Sequence, residues 1–432
     1  MRIAMVGHKR VPSREGGIEV VVEELAARMV IHGHTVTCYN RSGHHVSGRE
    51  YDAEHLDEYR GIRLKHLPTI DRKGLAAVTS SFFGCLAAAF GPYNVVHVHA
   101  EGPAMFSWIP RLTGKRVILT IHGLDWARDK WKGSFGSWYI RMGEKTGARC
   151  VHEIIVLNHS TQKYFLDTYG RTTHYIPNGV NPAAPVPADI IREKYGLEKD
   201  SYILYLGRMV PEKGCHYLVD AFKKLDTDKK LVIAGGSSDT HWYMDELKEQ
   251  AGGDERVIFT GFVDGQLREE LYSNAFLFVL PSDLEGMPLC LLEAMSYGNC
   301  VITSDIEECA NVIHDNGIVF RKGDVDDLAQ KLTYALSHPN TVRMFKWLAA
   351  EYVCTRFPWE RIVEETLTLY EKKKWHSKKR LLHSQQALFS LARIFLHPAV
   401  TPAAQSLDKI EIGQCQPVLL PFQDAQSHPL PA

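Results

Sequence analysis

The sequence predicts an α/β protein built from two Rossmann-like, doubly wound parallel sheets. Three observations carry that expectation. The chain has 432 residues, more than one hydrophobic core usually supports. Short apolar runs alternate with helical stretches, the pattern of parallel strands joined by right-handed crossovers. A stretch holding Pro182, Pro185 and Pro187 separates an earlier from a later series. The expected domains are residues 1–173, completed by about 359–373, then residues 174–358, with a tail over 374–432.

In the first half, Arg2 to Val6 reads as a buried strand. A loop with Gly16 and Gly17 follows, and a helix begins near Ile18, where Val22, Leu25, Ala26 and Met29 recur at helical spacing before Gly33. Strand, glycine turn and helix form a phosphate-binding layout, but the Gly-x-Gly-x-x-Gly of a dinucleotide site is absent. A plain tight turn is the other reading of that glycine pair. Tyr93–His99 and Lys115–His122 read as buried strands ending in polar groups. His97 and His99 are expected on opposite faces of their strand, poorly placed to share a metal. Asn158 to Tyr169 reads as a helix.

The second half runs strand (Tyr202–Leu206), helix (His216–Lys224), strand (Lys230–Gly235), helix (Tyr243–Gln250), strand (Val257–Thr260), helix (Gln266–Ser273) and strand (Phe276–Leu280). Helix Val325–Ser337 and the segment Phe357–Tyr370 close it. The first of these strands stops at Gly207, and Arg208 and Lys213 follow in the loop, where open α/β sheets bind ligands. Arg208 offers a planar fork of donors and Lys213 a compact charge, a pair suited to a diphosphate. Later, Glu285 and Glu293 bracket the expected start of a helix with Pro288 in its first turn and Gly298 as its left-handed cap. Eight helical residues rise ~12 Å, roughly the length of a sugar–diphosphate–ribose unit. The backbone N–H groups of Met287, Leu289 and Cys290 would meet the diphosphate at the positive end of the helix dipole. Taken singly, two glutamates eight apart or two loop cations also describe a solvated surface.

Together these segments resemble the C-terminal half of the family 4 retaining glycosyltransferases, which have the GT-B fold. Gly207, Arg208, Lys213 and Gly214 match the family's Gly-Arg-x4-Lys-Gly pattern, and Glu285 and Glu293 its paired glutamates. Gly261-Phe-Val-Asp264 resembles the base-side loop, and Thr120-x-His122-Gly123 the strand end at the donor site. The segment Gly123 to Lys132, with Asp125 and Trp126, is similar to a branch of bacterial transferases that build surface polysaccharides. The resemblance covers roughly residues 1–373.

It implies two domains facing a central cleft, with the last helix crossing back to the first domain. It implies a hexosyl-type, retaining transfer from a nucleotide-sugar (UDP-, GDP- or dTDP-linked) to a carbohydrate or lipid-linked saccharide acceptor, in polysaccharide, exopolysaccharide or glycolipid synthesis. Glu285, His122, Arg208 and Lys213 would be catalytic. Gly16, Gly17, Arg208, Lys213, Met287, Leu289, Cys290 and Glu293 would bind donor. No cofactor and no metal are expected. Asp226-Thr-Asp228 and Asp324-Val-Asp326 match the metal motif of another glycosyltransferase fold, but sit in a turn and at a helix start. The rival readings are a sugar-nucleotide epimerase on the same scaffold and a catalytically silent nucleotide-sugar-binding protein.

Composition bounds the remaining choices. Hydrophobic content of 45% and charged content of 23% are those of a globular protein, and the net charge of −1 argues against nucleic acid as partner. Nine cysteines without a C-x-x-C pair fit a reducing cytosol. The N-terminus enters a strand with no signal peptide, and no apolar run reaches 18 residues, so a cytoplasmic location is expected. Lys372 to Arg380 holds six Lys or Arg, and Leu381 to Leu396 has an apolar helical face. That pair of features suits peripheral contact with the anionic inner face of a membrane; a docked or frayed extension is the alternative.

Overall fold

A computed structural model of the chain describes residues 1–44, 56–70, 72, 74–127, 135–236 and 241–371. The expected amphipathic tail over 374–396, and residues 128–132 of the polysaccharide-branch segment, lie outside the described residues.

The first lobe contains, in order, β1 (Arg2–Val6), α1 (Gly17–Ile31), β2 (Thr35–Arg41), β3 (Glu58–Tyr59), β4 (Ile62–Leu67), α2 (Leu75–Phe90), β5 (Val95–His99), α3 (Glu101–Ala104), α4 (Trp108–Leu112), β6 (Arg116–Ile121), α5 (Phe135–Cys150), β7 (Glu153–Val156), α6 (His159–Tyr169) and β8 (His174–Tyr175). Its sheet has the order β3-β4-β2-β1-β5-β6-β7-β8, parallel except for the β3–β4 pair. The direction of travel reverses at β1 and β5, so a crevice opens at their carboxyl ends. Near-continuous apolar strands such as Ile3-Ala-Met-Val6 are buried on both faces, as parallel strands covered by helices must be. Asn158 accepts from the Thr161 backbone and caps α6, which begins at His159, one residue inside the expected start.

The second lobe contains α7 (Ile190–Tyr195), β9 (Tyr202–Leu206), α8 (Cys215–Lys223), β10 (Lys230–Ala234), α9 (His241–Ala251), β11 (Val257–Gly261), α10 (Gly265–Asn274), β12 (Leu277–Leu280), α11 (Leu289–Ser296), β13 (Val301–Ser304), α12 (Glu307–Ile313), β14 (Ile318–Phe320), α13 (Val325–Ser337) and α14 (Pro339–Arg356). The sheet is fully parallel in the order β11-β10-β9-β12-β13-β14 and switches direction between β9 and β12. Two apolar clusters, one on each face of the sheet, form its core.

The last helix among the described residues, α15 (Trp359–Glu371), returns to the first lobe. Trp359, Ile362, Val363 and Leu367 bury in the cluster formed by α1 and the strands β1, β2 and β4. Its Tyr370 hydroxyl reaches His97 Nδ1 at 2.6 Å, which ties the end of α15 to β5.

Candidate active site

The two strands at the second lobe's switch point supply the charged groups. The loop after β9 carries Arg208 and Lys213, and the loop after β12 carries Glu285. Gly214 makes them meet. Its φ is +65°, and a Cβ there would stand 2.0 Å from the Pro281 carbonyl oxygen, so only glycine lets one loop lie on the other. Lys213 Nζ then donates to Glu285 Oε1 at 2.5 Å, and Ser282 Oγ donates to the same oxygen at 2.7 Å. Arg208, Glu212, Lys213, Leu284, Glu285 and Gly286 line one wall of a solvent-open crevice, and Gly123 and Leu124 of the first lobe line the other.

Gly286 is where the lobes touch. A Cβ on it would stand 1.7 Å from the His122 carbonyl oxygen, and Asn158 Nδ2 donates to its carbonyl at 2.8 Å. His122 therefore borders the crevice through its backbone, while its ring turns to the interior of the first lobe. His122 Nε2 lies 3.1 Å from Nδ1 of His99. Among the described residues the Nε2 of His99 is buried without a hydrogen-bond partner. A proton there would be an unsatisfied donor, so it belongs on Nδ1, donated to His122.

His97 and His99 do not lie on opposite faces. Residues two apart on a strand share a face, and the two rings lie side by side, tilted by 33° with centroids 4.1 Å apart. Burial pushes His97 down to about 3 and His99 well below its ordinary value, which keeps both neutral. His97 is held between the Tyr370 hydroxyl and Thr120 Oγ1, at 2.6 and 2.7 Å. Among the described residues, no group of three or more His, Cys, Asp or Glu is arranged to hold a metal ion.

The helix beside Glu285 starts later than expected. α11 begins at Leu289, and Pro288 is its extended N-cap rather than a residue of its first turn. The N–H groups of Leu291 and Leu292 already bond the Pro288 carbonyl, and no side chain caps this end. Leu289 and Cys290 contribute the first two N–H groups of the helix, which have no partner one turn back within it. Met287 stands outside the helix, buried in the seam between lobes, where Asn178 Nδ2 donates to its carbonyl at 3.0 Å. Leu289 packs against Gly17, at 3.4 Å from where a Cβ of Gly17 would be, so Gly16 and Gly17 open α1 directly opposite the start of α11. Gly298 has the left-handed φ of +75° expected past the helix end.

Glu293 is engaged within the second lobe. Arg268 lies 3.4 Å from its Oε1, and the Tyr272 hydroxyl donates to its Oε2 at 3.3 Å. Arg268 escaped the sequence reading: it belongs to no motif, and only the packing of α10 beside α11 shows its neighbour. The two Asp-x-Asp matches lie apart from the crevice. Asp324 accepts from the Asp327 backbone at 2.9 Å as a helix cap, and Asp226 and Asp228 sit in the turn between α8 and β10.

Behind the first-lobe wall lies a pair of carboxyls that the sequence did not announce. Glu101 and Glu144 are both fully buried and lie against each other. Glu101 Oε2 accepts from the Asp125 N–H at 2.8 Å and so anchors the loop of Gly123 and Leu124. Glu144 accepts from Trp126 Nε1 at 3.0 Å, from the Tyr164 hydroxyl at 2.8 Å and from the Tyr169 hydroxyl. Burial, then the nearby charges of Asp125 and Glu144, hold the Glu101 carboxyl well above the usual carboxylate range.

The chain matches two family models end to end: Glycosyltransferase Family 4 over residues 15–184 and Glycosyl transferases group 1 over residues 187–350. It is 26% identical over 411 residues to an α-maltose-1-phosphate synthase of Mycobacterium tuberculosis, covering 86% of this chain and 99% of the relative. It is 28% identical over 229 residues to the O-antigen chain mannosyltransferase B of Escherichia coli, covering 51% and 57%. Among solved structures, the Anabaena HepE protein in complex with UDP and glucose superposes with a TM-score of 0.71 at 17% identity, covering 85% of this chain and 98% of that one.

Proposed function

Because this chain belongs to glycosyltransferase family 4, has the GT-B fold and transfers a sugar from a nucleotide-sugar donor, we propose that Arg208, Lys213 and the start of α11 hold the donor diphosphate, with Glu285 on the transferred sugar and Glu293 on the ribose. The observation that carries this reading is the convergence of Arg208, Lys213 and Glu285 on one crevice walled by both lobes. A diphosphate there meets two cations and two helix N–H groups, at the positive end of a helix dipole.

The chemistry follows from that charge. As the bond from the anomeric carbon to the diphosphate stretches, negative charge grows on the leaving oxygen and oxocarbenium character on the sugar. Arg208 and Lys213 stabilise the first. The acceptor hydroxyl attacks from the side the diphosphate leaves, and the departing phosphate oxygen takes its proton, which keeps the anomeric configuration. His122, its ring held by His99, borders the sugar end. Gly16 and Gly17 let the start of α1 approach the donor across the cleft. Relatives named for O-antigen and sugar-phosphate products support a saccharide acceptor in polysaccharide or glycolipid assembly at the cell envelope. The UDP bound by a solved neighbour makes UDP the first nucleotide to try.

The test is direct. A thermal-shift screen over UDP, GDP, ADP and dTDP selects the base, and slow release of nucleoside diphosphate from the matching nucleotide-sugar shows turnover. Formation of a new nucleotide-sugar would mean an epimerase. Binding without release, with and without acceptor saccharides, would mean a silent binding protein.

A further inference from the structure

Helix α2 is built inside out. Its sixteen residues include no charged side chain. Its small residues face the sheet: Ser80, Ser81, Gly84, Cys85, Ala88 and Ala89 are buried. Its large residues face outward: Leu75, Phe82, Phe83 and Phe90 are exposed, Phe90 to 78%. The small inner face has a packing reason, since a Cβ on Gly84 would stand 2.7 Å from Val6 Cγ1 of β1. The outer face is covered only in part, where Phe82 meets Phe106 edge to face at 5.4 Å and Leu86 packs on the core; the exposure of Leu75, Phe83 and Phe90 reverses the usual arrangement of a helix covering a sheet.

The neighbouring helices extend the same surface. α4 packs beside α2 and shows Trp108 and Leu112 one turn apart, and α5 shows Trp138. Eight of the fourteen exposed large hydrophobic side chains among the described residues fall between Ile70 and Trp138. So dense a cluster marks an interaction surface rather than scattered apolar exposure.

Charge identifies the partner. On α5 the residues following Trp138 at helical spacing, Arg141, Lys145 and Arg149, are exposed, while its acid Glu144 is buried. Lys115 Nζ donates to the Gly91 carbonyl at 2.7 Å, next to Phe90, and Arg72 is exposed just ahead of Leu75. Residues 71–150 hold eleven Lys or Arg against five Asp or Glu, a net of +6 in a chain whose total is −1. A second copy seated face to face would bring two cationic rims together. An apolar centre with a cationic rim instead matches the acyl boundary and headgroups of an anionic bilayer.

We propose that the outer face of α2, with the adjoining edges of α4 and α5, docks the first lobe on an anionic lipid bilayer, from which the enzyme takes a lipid-linked acceptor. The docking surface stands on the observations above; the acceptor clause rests on the proposed function. No helix among the described residues is long and apolar enough to cross a membrane, so the contact is peripheral.

Vesicle flotation of the full chain tests this. The protein should float with vesicles rich in phosphatidylglycerol and far less with phosphatidylcholine alone. The double substitution Phe82→Ser, Phe90→Ser should weaken binding by on the order of tenfold, and Lys145→Gln with Arg149→Gln should erase the lipid preference. Nucleoside diphosphate release without vesicles should be unchanged in both. The proposal is overturned if the serine variant floats like the parent. It is also overturned if replacing the six cations of 372–380 by Gln abolishes binding on its own, or if the parent forms a dimer that the serine variant loses. Absence of diphosphate release in the parent would instead count against the proposed function and leave the docking result intact.

Discussion

The two walls of the crevice are made differently. The second-lobe wall is charged and short-range: Arg208 and Lys213 lie within seven residues of the end of β9, and Glu285 within five of the end of β12. The first-lobe wall is neutral on the outside and rests on buried polar groups drawn from far apart in the chain. His97 meets Tyr370 across 273 residues, and Glu101 meets Glu144 across 43. On the proposed function, the charged wall would exchange charge with a ligand and the neutral wall would hold its shape while the ligand's charge changes. Substitutions on the two sides should therefore fail in different ways, the first in rate and the second in stability.

The largest effect is expected from Arg208→Ala or Lys213→Ala. Losing one donor to a developing oxyanion typically costs about 10²–10³ in kcat. Turnover with saturating donor should fall by that order while the melting temperature barely moves. An equal loss of stability would mean that the cations are structural, and the contrast between the walls would disappear.

On the opposite wall, Glu144→Ala removes the shared acceptor of three half-buried donors: the Trp126 indole and the hydroxyls of Tyr164 and Tyr169. A fully buried unsatisfied group costs about 1–3 kcal/mol and a half-buried one less, so the unfolding free energy should drop by roughly 2 kcal/mol. Urea denaturation measures it. Nucleotide affinity, which the proposed function assigns to the other lobe, should hold in the fraction that remains folded.

Gly286→Ala probes the seam itself. The new Cβ would overlap the His122 carbonyl, so the walls must separate. Misplacement by about 1 Å costs up to 10²-fold in rate, so kcat/KM should fall about 10- to 100-fold with nucleotide binding retained. A variant with parental kinetics would show that the lobes do not work at this separation.

This contrast also explains what could be read in the sequence. The charged wall was legible because a strand end, a glycine and a cation in a few residues already specify a loop on a sheet edge, and Gly214 turned out to be the residue that joins the two loops. The neutral wall was not legible. Nothing near Glu101 in the chain predicts Glu144, because their pairing depends on α3 packing on α5. Arg268 was missed for the same reason. The expected placement of His97 and His99 on opposite faces fails because residues two apart on a strand share one face, and their 4.1 Å ring contact follows from it. The start of α11 was shifted because Pro288 suits either the N-cap or the first turn, and only the backbone decides.

The smallest effect expected, and the only gain, comes from Glu101→Gln. The folded protein holds the Glu101 carboxyl well above its ordinary value, first through burial and then through Asp125 and Glu144. Between the unfolded and folded values the native state keeps a proton that the unfolded chain releases. Stability from this group is complete below the unfolded value and is lost as pH rises through that window, by up to about 1.4 kcal/mol per pH unit. Glutamine has the same shape. Its carbonyl can accept from the Asp125 N–H, and its amide can donate toward Glu144, without any proton to lose. The variant should match the parent near pH 4.5 and exceed it by about 1 kcal/mol one unit higher. Melting curves over that range would show the two diverging. Parallel curves would mean that Glu101 ionises in place, and that the first-lobe wall carries charge after all.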